Sequence, residues 1–191
     1  MPFKPSGYGG YFYVMDDLIH DLAEYVSRND CFRLEDMKSM QTPDTVCHIS
    51  LHITEFSTAT LNELCRHEKL QTLLFLHRCE FGDLIHALDE LFLMLKRLHT
   101  LRLSECGIME LLSSIGGLKH LWYLDLSENP LESLPESRGN LYNLQVLELS
   151  DCRRLGVLPT HLTSLAKLKH LEADRGLVCS IDGLEKLTAL L

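Results

Sequence analysis

The sequence has few of the features that mark secreted, metal-binding or membrane-spanning proteins. Its seven cysteines form no C-x-x-C pair, and no asparagine lies in an N-x-S/T glycosylation site. No apolar run reaches the roughly 18 residues of a membrane span, and residues 1–14 lack the apolar core of a signal peptide. These absences predict a cytoplasmic chain with reduced thiols, no membrane span and no metal site.

Basic residues and phosphate-binding motifs are also scarce. The chain has 18 Lys and Arg against 27 Asp and Glu, which gives a net charge of −9. This charge repels nucleic-acid phosphates, so we expect no nucleic-acid partner and favour a basic or neutral protein partner. The pattern G-x-x-x-x-G-K-S/T is absent, which predicts that the chain binds neither ADP nor ATP and takes no cofactor.

A leucine repeat dominates the second half of the chain. Four segments share the frame L-x-x-L-x-L-x-x-N/C, degraded in the last, and their starts at Leu98, Leu121, Leu144 and Leu168 are 23, 23 and 24 residues apart. Such a period is typical of leucine-rich repeats, in which each unit buries its apolar face against the next. We therefore predict an α/β leucine-rich-repeat solenoid with a parallel β-sheet on its concave face, preceded by a short helical segment.

Further segments extend the repeats toward the N-terminus. VCHISLHI at 46–53 is typical of a strand, and residues 61–70 predict a short helix after a Ser57/Thr58 cap. The apolar face of residues 83–98 predicts a second helix. Between these helices the unit at 70–80 allows two registers, one with Leu70, Leu73 and Phe75 and the other with Leu74, Leu76 and Cys79.

The repeat frame also predicts which side chains face a partner. Residues between the strand leucines point to the concave face, and the ladder position held by Cys106, Asn129 and Cys152 turns inward to bond backbone groups. Acidic residues fill six of eight places in two concave columns, so their fields would add and attract a basic partner, although a merely solvated face is the alternative. The predicted partner-binding residues are Arg102, Glu105, Tyr123, Asp125, Glu128, Glu148, Asp151, Glu172 and Arg175.

Before the repeats, VMDDLIHDLAEYV at 14–26 has apolar residues at helical spacing. Asp16 and Asp17 would lie in the first turn of this helix, where its dipole favours negative charge. A metal site at Asp17, His20 and Asp21 is the alternative, but no second cluster in the sequence completes a ligand shell. The pattern therefore predicts an amphipathic helix.

The segment YVMDDLIHDLAEYVSRNDCFRLED at 13–36 resembles the end of the winged-helix region of plant intracellular nucleotide-binding leucine-rich-repeat disease-resistance proteins. The grass-type coiled-coil class is the most similar, and the repeats that follow continue the likeness. The resemblance divides the chain into the end of a winged-helix-like region at 1–40 and a leucine-rich-repeat array at 44–191 that is incomplete at its C-terminus.

This resemblance implies a protein-interaction module for effector recognition and autoinhibition in plant defence and innate immunity, not an enzyme. Its partner would be a protein: a pathogen effector, a guarded host protein or a nucleotide-binding domain. Met15, Asp16 and Asp17 match the family's Met-His-Asp motif, with Asp16 in place of the histidine that contacts ADP. A carboxylate at that place would repel a diphosphate.

Two other classes of function compete with this interpretation. A free-standing cytosolic leucine-rich-repeat scaffold of the Ras-associated type explains the repeats but not DLIHDLA at 17–23. A small hydrolase or metal enzyme needs a convergent cluster of acid, base or ligand residues that the sequence does not show. Residues 181–191 enter a further repeat without a polar cap, so we expect a chain truncated at both ends that self-associates through this uncapped edge.

Overall fold

A computed structural model describes residues 3–5, 11–13, 25–27, 29–34, 42–79, 81, 86–135, 141–159, 162–163 and 165–174. These residues form a seven-stranded parallel sheet and a separate two-stranded antiparallel sheet near the N-terminus. The antiparallel pair is β1 (Phe3–Pro5) and β2 (Tyr11–Tyr13). The parallel strands are β3 (Cys31–Leu34), β4 (His48–Leu51), β5 (Thr72–Phe75), β6 (Thr100–Arg102), β7 (Tyr123–Asp125), β8 (Val146–Leu149) and β9 (His170–Ala173).

The parallel strands pair in sequence order, β3 to β9, so each strand lies beside its neighbours in the chain. Helix α1 (Thr58–Arg66) connects β4 to β5, helix α2 (Ala87–Met94) connects β5 to β6, and a 3-10 helix (Ser113–Gly117) connects β6 to β7. Parallel neighbours need such return connections because each strand must start at the same end of the sheet. The predicted α/β solenoid is confirmed.

The core lies between the sheet and these return connections. In the repeat that contains β6, Leu98, Leu101 and Leu103 are fully buried and Cys106 is 1% exposed. Each such leucine contributes about 1.5–3 kcal/mol by leaving water, and no unit can bury its leucines without a neighbour. The leucine positions that recur in each repeat are therefore the positions that form the core.

Local signals fix the helices. Helix α1 spans Thr58–Arg66 and not 61–70, but its predicted cap is present at Ser57, whose hydroxyl accepts a hydrogen bond of 3.1 Å from the backbone N–H of Thr60. Its apolar face is buried at Leu61 and Leu64. After the last residues of α2, the Lys96 ammonium donates to the Phe92 carbonyl at 2.9 Å, which satisfies a free acceptor at the helix end.

The sheet contains one strand that the sequence analysis did not predict. Among the described residues, strand β3 precedes residue 44, where the repeat array was predicted to begin, and pairs with β4 in the same sheet; the domain boundary itself stays a prediction. Phe32 pairs with Ile49 and Leu34 with Leu51, so the inward alternation already exists in CFRL. Four residues with two apolar side chains are too short a pattern to recognise as a strand by periodicity.

The register at 70–80 is settled by the pairing of Leu73 with Leu101. Leu70, Leu73 and Phe75 are buried, as one of the two registers predicts. Cys79 is also fully buried, one residue later than the frame requires, so the turn after β5 contains an extra residue.

Several predictions fall on residues whose structure is not described. They are the motif Met15, Asp16 and Asp17, the helix at 14–24, Arg175, and the final segment 175–191 with its proposed self-association edge. Residues 25–27 at the end of the predicted helix are helical.

Candidate functional site

The sheet has one face on the leucine core and one open face. On the open face, the strand register aligns the central side chains in a row across the sheet, which runs Arg33, Ser50, Leu74, Arg102, Asp125, Glu148 and Glu172. Adjacent strands lie about 4.8 Å apart, so neighbouring side chains of the row interact. The row is basic or uncharged from β3 to β6 and acidic from β7 to β9.

Asp125 is the most enclosed member of the row. It is 4% exposed, its Oδ2 lies 3.2 Å from Arg102 Nε, and its Oδ1 accepts from the Ser127 backbone N–H at 2.9 Å. Arg102 Nε also donates to Ser104 Oγ at 2.8 Å. Asp125, which was predicted to face a partner, is thus enclosed within the sheet, where its charge orients Arg102; its role in partner binding stays a prediction.

Glu148 has a different environment on the next strand. Partial burial raises the pKa of its carboxyl, the nearby charges of Asp125 and Glu172 raise it further, and a hydrogen bond from Tyr123 only partly offsets them. Burial and the charge of Glu148 likewise raise the pKa of the Tyr123 hydroxyl, which keeps it a donor. This end of the open face therefore has a negative potential that a cation would relieve.

Three further acids lie just after the strands, at Glu105, Glu128 and Asp151. All three are exposed and have positive φ, at 57°, 59° and 57°, in equivalent turns. Residues other than glycine rarely adopt positive φ. Since three equivalent turns share this conformation, the repeat geometry imposes it. Asp151 is paired with Arg153 at 3.2 Å on the surface, which screens its charge but adds little stability.

The ladder position links successive repeats inside the turns. Asn129 is 1% exposed; its Oδ1 accepts from the N–H groups of Cys106 and Ile108, each at 3.0 Å. Its Nδ2 donates to Leu103 O at 2.7 Å and Leu126 O at 2.8 Å. The amide thus satisfies buried backbone groups of two consecutive repeats.

Cysteines take the same position in the flanking repeats. The Cys152 thiol donates to Leu126 O at 3.3 Å and accepts from the backbone N–H of Asn129. The Cys106 sulfur is bonded in the same way by the N–H of Cys79, which extends the ladder to the irregular unit. Burial raises the pKa of both thiols, so they are weak nucleophiles with a structural role.

A buried polar cluster on α1 has no counterpart in the sequence prediction. His67 Nε2 lies 2.5 Å from Thr42 Oγ1 and 3.6 Å from Glu63 Oε1, and the Thr42 hydroxyl also bonds Glu63. All three residues are at most 8% exposed. The hydroxyl is therefore shielded from any substrate, and the cluster fastens the segment before β4 to the helix. Residue spacing could not reveal it, because Thr42 lies 21 residues from Glu63.

A shallow groove also lies on the open face near β3, β4 and β5. It has a volume of about 450 Å³ and is lined by Arg33, His48, Ser50, Thr72 and Leu74, among others. The sequence prediction missed it because β3 was not recognised.

Within the described residues, no group of three or more His, Cys, Asp or Glu side chains could hold a metal ion. No helix in the described ranges has the length and apolarity to cross a membrane.

The aromatic residues Trp122 and Tyr123 lie side by side at the start of β7. The rings are in edge contact, with centroids 6.3 Å apart. Trp122, in the turn before β7, is 41% exposed, whereas Tyr123 is half-buried on the open face.

Comparisons with known proteins agree with this geometry. Residues 95–191 match the family described as a leucine-rich repeat region. A protein of Arabidopsis thaliana named for disease resistance is 37% identical over 118 residues, which cover 59% of this chain and 8% of that protein. The chain thus spans a small part of that relative's length. The resemblance to plant disease-resistance repeats is confirmed, while the coiled-coil nucleotide-binding class stays a prediction.

Solved structures share the fold. A leucine-rich-repeat protein of Leptospira interrogans superposes with a TM-score of 0.64 at 27% identity, over 83% of this chain and 39% of that one. The ectodomain of the Arabidopsis thaliana receptor kinase GASSHO1/SCHENGEN3, solved with CASPARIAN STRIP INTEGRITY FACTOR 2, has a TM-score of 0.52 at 22% identity, over 75% and 20%. Both likenesses concern the solenoid architecture.

Proposed function

Because the chain belongs to the leucine-rich-repeat family, we propose that it is a non-catalytic protein-interaction module of plant defence. The likeness to a protein named for disease resistance supports this role. Its partner would be a pathogen effector, a guarded host protein or a nucleotide-binding domain, met in the cytoplasm. The module would hold such a partner for effector recognition or autoinhibition, with a repeat array that starts at β3 and a winged-helix-like region before it.

The observation that carries the binding proposal is the environment of Glu148. Its carboxylate is half-buried beside Asp125 and Glu172, and these neighbours raise its pKa. A Lys or Arg side chain from a partner would neutralise the negative charge of these carboxylates. It would also contact Tyr123, whose hydroxyl is hydrogen-bonded to Glu148. Tyrosine in such a place is a frequent anchor in protein interfaces. We therefore propose that the β7–β9 end of the open face binds a basic protein segment.

This proposal is tested with a short Lys/Arg peptide and isothermal titration calorimetry at neutral pH and low salt. Glu148→Gln and Glu172→Gln should each weaken binding about five- to tenfold, which corresponds to roughly 1–1.4 kcal/mol. Glu132→Gln is the matched control, since Glu132 is exposed in a return connection and not on the open face.

Proton linkage gives a second measurement. Binding of a cation should lower the raised pKa of Glu148, so at mildly acidic pH the wild-type chain should release protons on binding and the Glu148→Gln variant should not. Equal affinity of both variants and the control, or uptake of protons, would overturn the proposal.

A further inference from the structure

The turns that lead into the strands have a charge opposite to that of the chain. We name them the pre-strand edge and define it as residues 68–71, 96–99, 119–122, 142–145 and 166–169. The whole chain has a net charge of −9, yet these turns contain one acid, Glu68, and six cations. The cations are Lys69, Lys96, Arg97, Lys119, Lys167 and Lys169.

The five turns form one continuous surface. Their backbones bond in series: the N–H of His99 donates to Gln71 O, that of Trp122 to His99 O, that of Gln145 to Trp122 O, and that of Lys169 to Gln145 O, at 2.8–2.9 Å. Turns joined in this way repeat at the strand spacing of about 4.8 Å. The six cations are therefore stacked along one side of the solenoid.

Side-chain bonds hold this surface in place. Asn143 Nδ2 donates to Lys119 O at 2.7 Å, and Lys167 Nζ donates to Asn143 Oδ1 at 2.6 Å. Lys169 Nζ donates to Gln145 Oε1 at 3.1 Å. These bonds restrict the motion of two exposed ammonium groups, so that binding a partner would cost less side-chain entropy. The acceptors are neutral amide oxygens, which do not cancel the positive charges.

The cations are available for binding. All six are exposed, and within the described residues none of them forms an ion pair with a carboxylate. The ion pairs of the described part involve other basic residues, namely Arg66, His67, Arg102, Arg153 and Arg154.

Two large aromatic side chains lie among the cations. Trp122 is 41% exposed and Tyr142, in the next turn, is 50% exposed. Tryptophan, tyrosine and arginine are the residues that most often dominate the energy of protein interfaces, whereas isolated lysines contribute mainly to steering. The pre-strand edge combines both kinds of residue.

We propose that the pre-strand edge is a second interaction surface, which binds an acidic protein segment that also carries an apolar side chain. The carboxylates would pair with Lys119, Lys167 and Lys169, and the apolar group would pack on Trp122 and Tyr142. A nucleic acid fits less well, because the acidic row at Glu148 and Glu172 begins within about a Debye length of this edge and would repel an extended phosphate backbone. The partner charge is opposite to that of the segment proposed for the open face.

Fluorescence tests this proposal, because Trp122 is the one tryptophan of the chain. The probe is a peptide of about eight residues, Asp and Glu with two leucines, which spans the stacked turns at roughly 3.3 Å per residue. It should shift the Trp122 emission saturably. The double variant Lys119→Glu, Lys167→Glu should weaken binding by about tenfold or more, and added salt should weaken binding to the wild-type chain.

The matched control reverses one charge on another surface: Arg154→Glu should leave acidic-peptide binding unchanged. Glu148→Gln should not weaken it, because the Glu148 carboxylate repels an acidic segment, so failure here is distinct from failure of the open-face proposal. An unaltered emission spectrum, or equal affinity of the double variant in calorimetry, would overturn the proposal. So would tighter binding of a single-stranded oligonucleotide or of phosphatidylserine vesicles than of the peptide.

Discussion

Replacement of Asn129 tests whether the ladder holds the repeats together. Asn129→Ala removes an acceptor for two buried N–H groups, those of Cys106 and Ile108, and a donor for two buried carbonyls, those of Leu103 and Leu126. Each unpaired buried group costs about 1–3 kcal/mol, and water that enters the site recovers part of this. We expect a loss of about 3–5 kcal/mol in the free energy of unfolding, a large share of the roughly 5–15 kcal/mol of a typical domain.

Urea unfolding followed by circular dichroism measures this loss as a shift of the midpoint at constant slope. Asn129→Cys places in this repeat the residue that the flanking repeats already have, and should cost about half as much, because a thiol bonds fewer groups. Asn143→Ala is the control: this asparagine bridges two turns at the surface and its loss should cost under about 0.5 kcal/mol. If Asn129→Ala costs less than about 1 kcal/mol, the ladder is dispensable and the reasoning fails.

Three shorter predictions concern other residues. Glu128, with φ of 59°, should tolerate Gly with unchanged or slightly raised stability but lose about 1–2 kcal/mol on substitution by Val, measured by thermal melting; equal melting of both variants would contradict the strained turn. Burial alone raises the pKa of Glu63, but bonds from Thr42 and the charge of Arg66 outweigh it and lower the pKa. Its contribution is therefore present above pH 4.5 and lost as pH falls below that value, so Glu63→Gln should flatten the acid limb of stability between about pH 5 and 3; an unchanged limb would refute this. Iodoacetamide at pH 8 should label the exposed Cys31 before the buried Cys106 in peptide mass spectrometry, and equal rates would show that the core thiols are accessible.

Much of the fold follows from the repeat frame. The positions of Leu101, Leu124 and Leu147 in paired strands, and the inward turn at Cys106 and Asn129, are set by a period that both chain geometry and core burial require. The frame also indicates the row that contains Glu148, because alternation along a strand decides which side chains share a face.

Other features depend on contacts that no period encodes. The ion pair with Arg102 holds the Asp125 carboxylate away from solvent. The sequence places these two charges at equivalent positions of successive repeats but does not show that their side chains point toward each other. Strand β3 is recruited by backbone pairing with β4, which needs no leucine frame. The cations of the pre-strand edge come from separate repeats, so their clustering is visible only when the turns are stacked.

The strictly sequential order of the parallel strands has a consequence for cooperativity. Each repeat is stabilised by its contacts with the repeat before it and the repeat after it. Unfolding therefore spreads along the sheet from one repeat to the next and does not begin at a single central core. If a unit of 23 residues were duplicated between β7 and β8, the repeats on both sides would offer it matching partners for its ladder hydrogen bonds and its leucine contacts. The sheet therefore permits growth by internal duplication, and a new unit would lengthen both the open face and the pre-strand edge without changing how any other repeat folds.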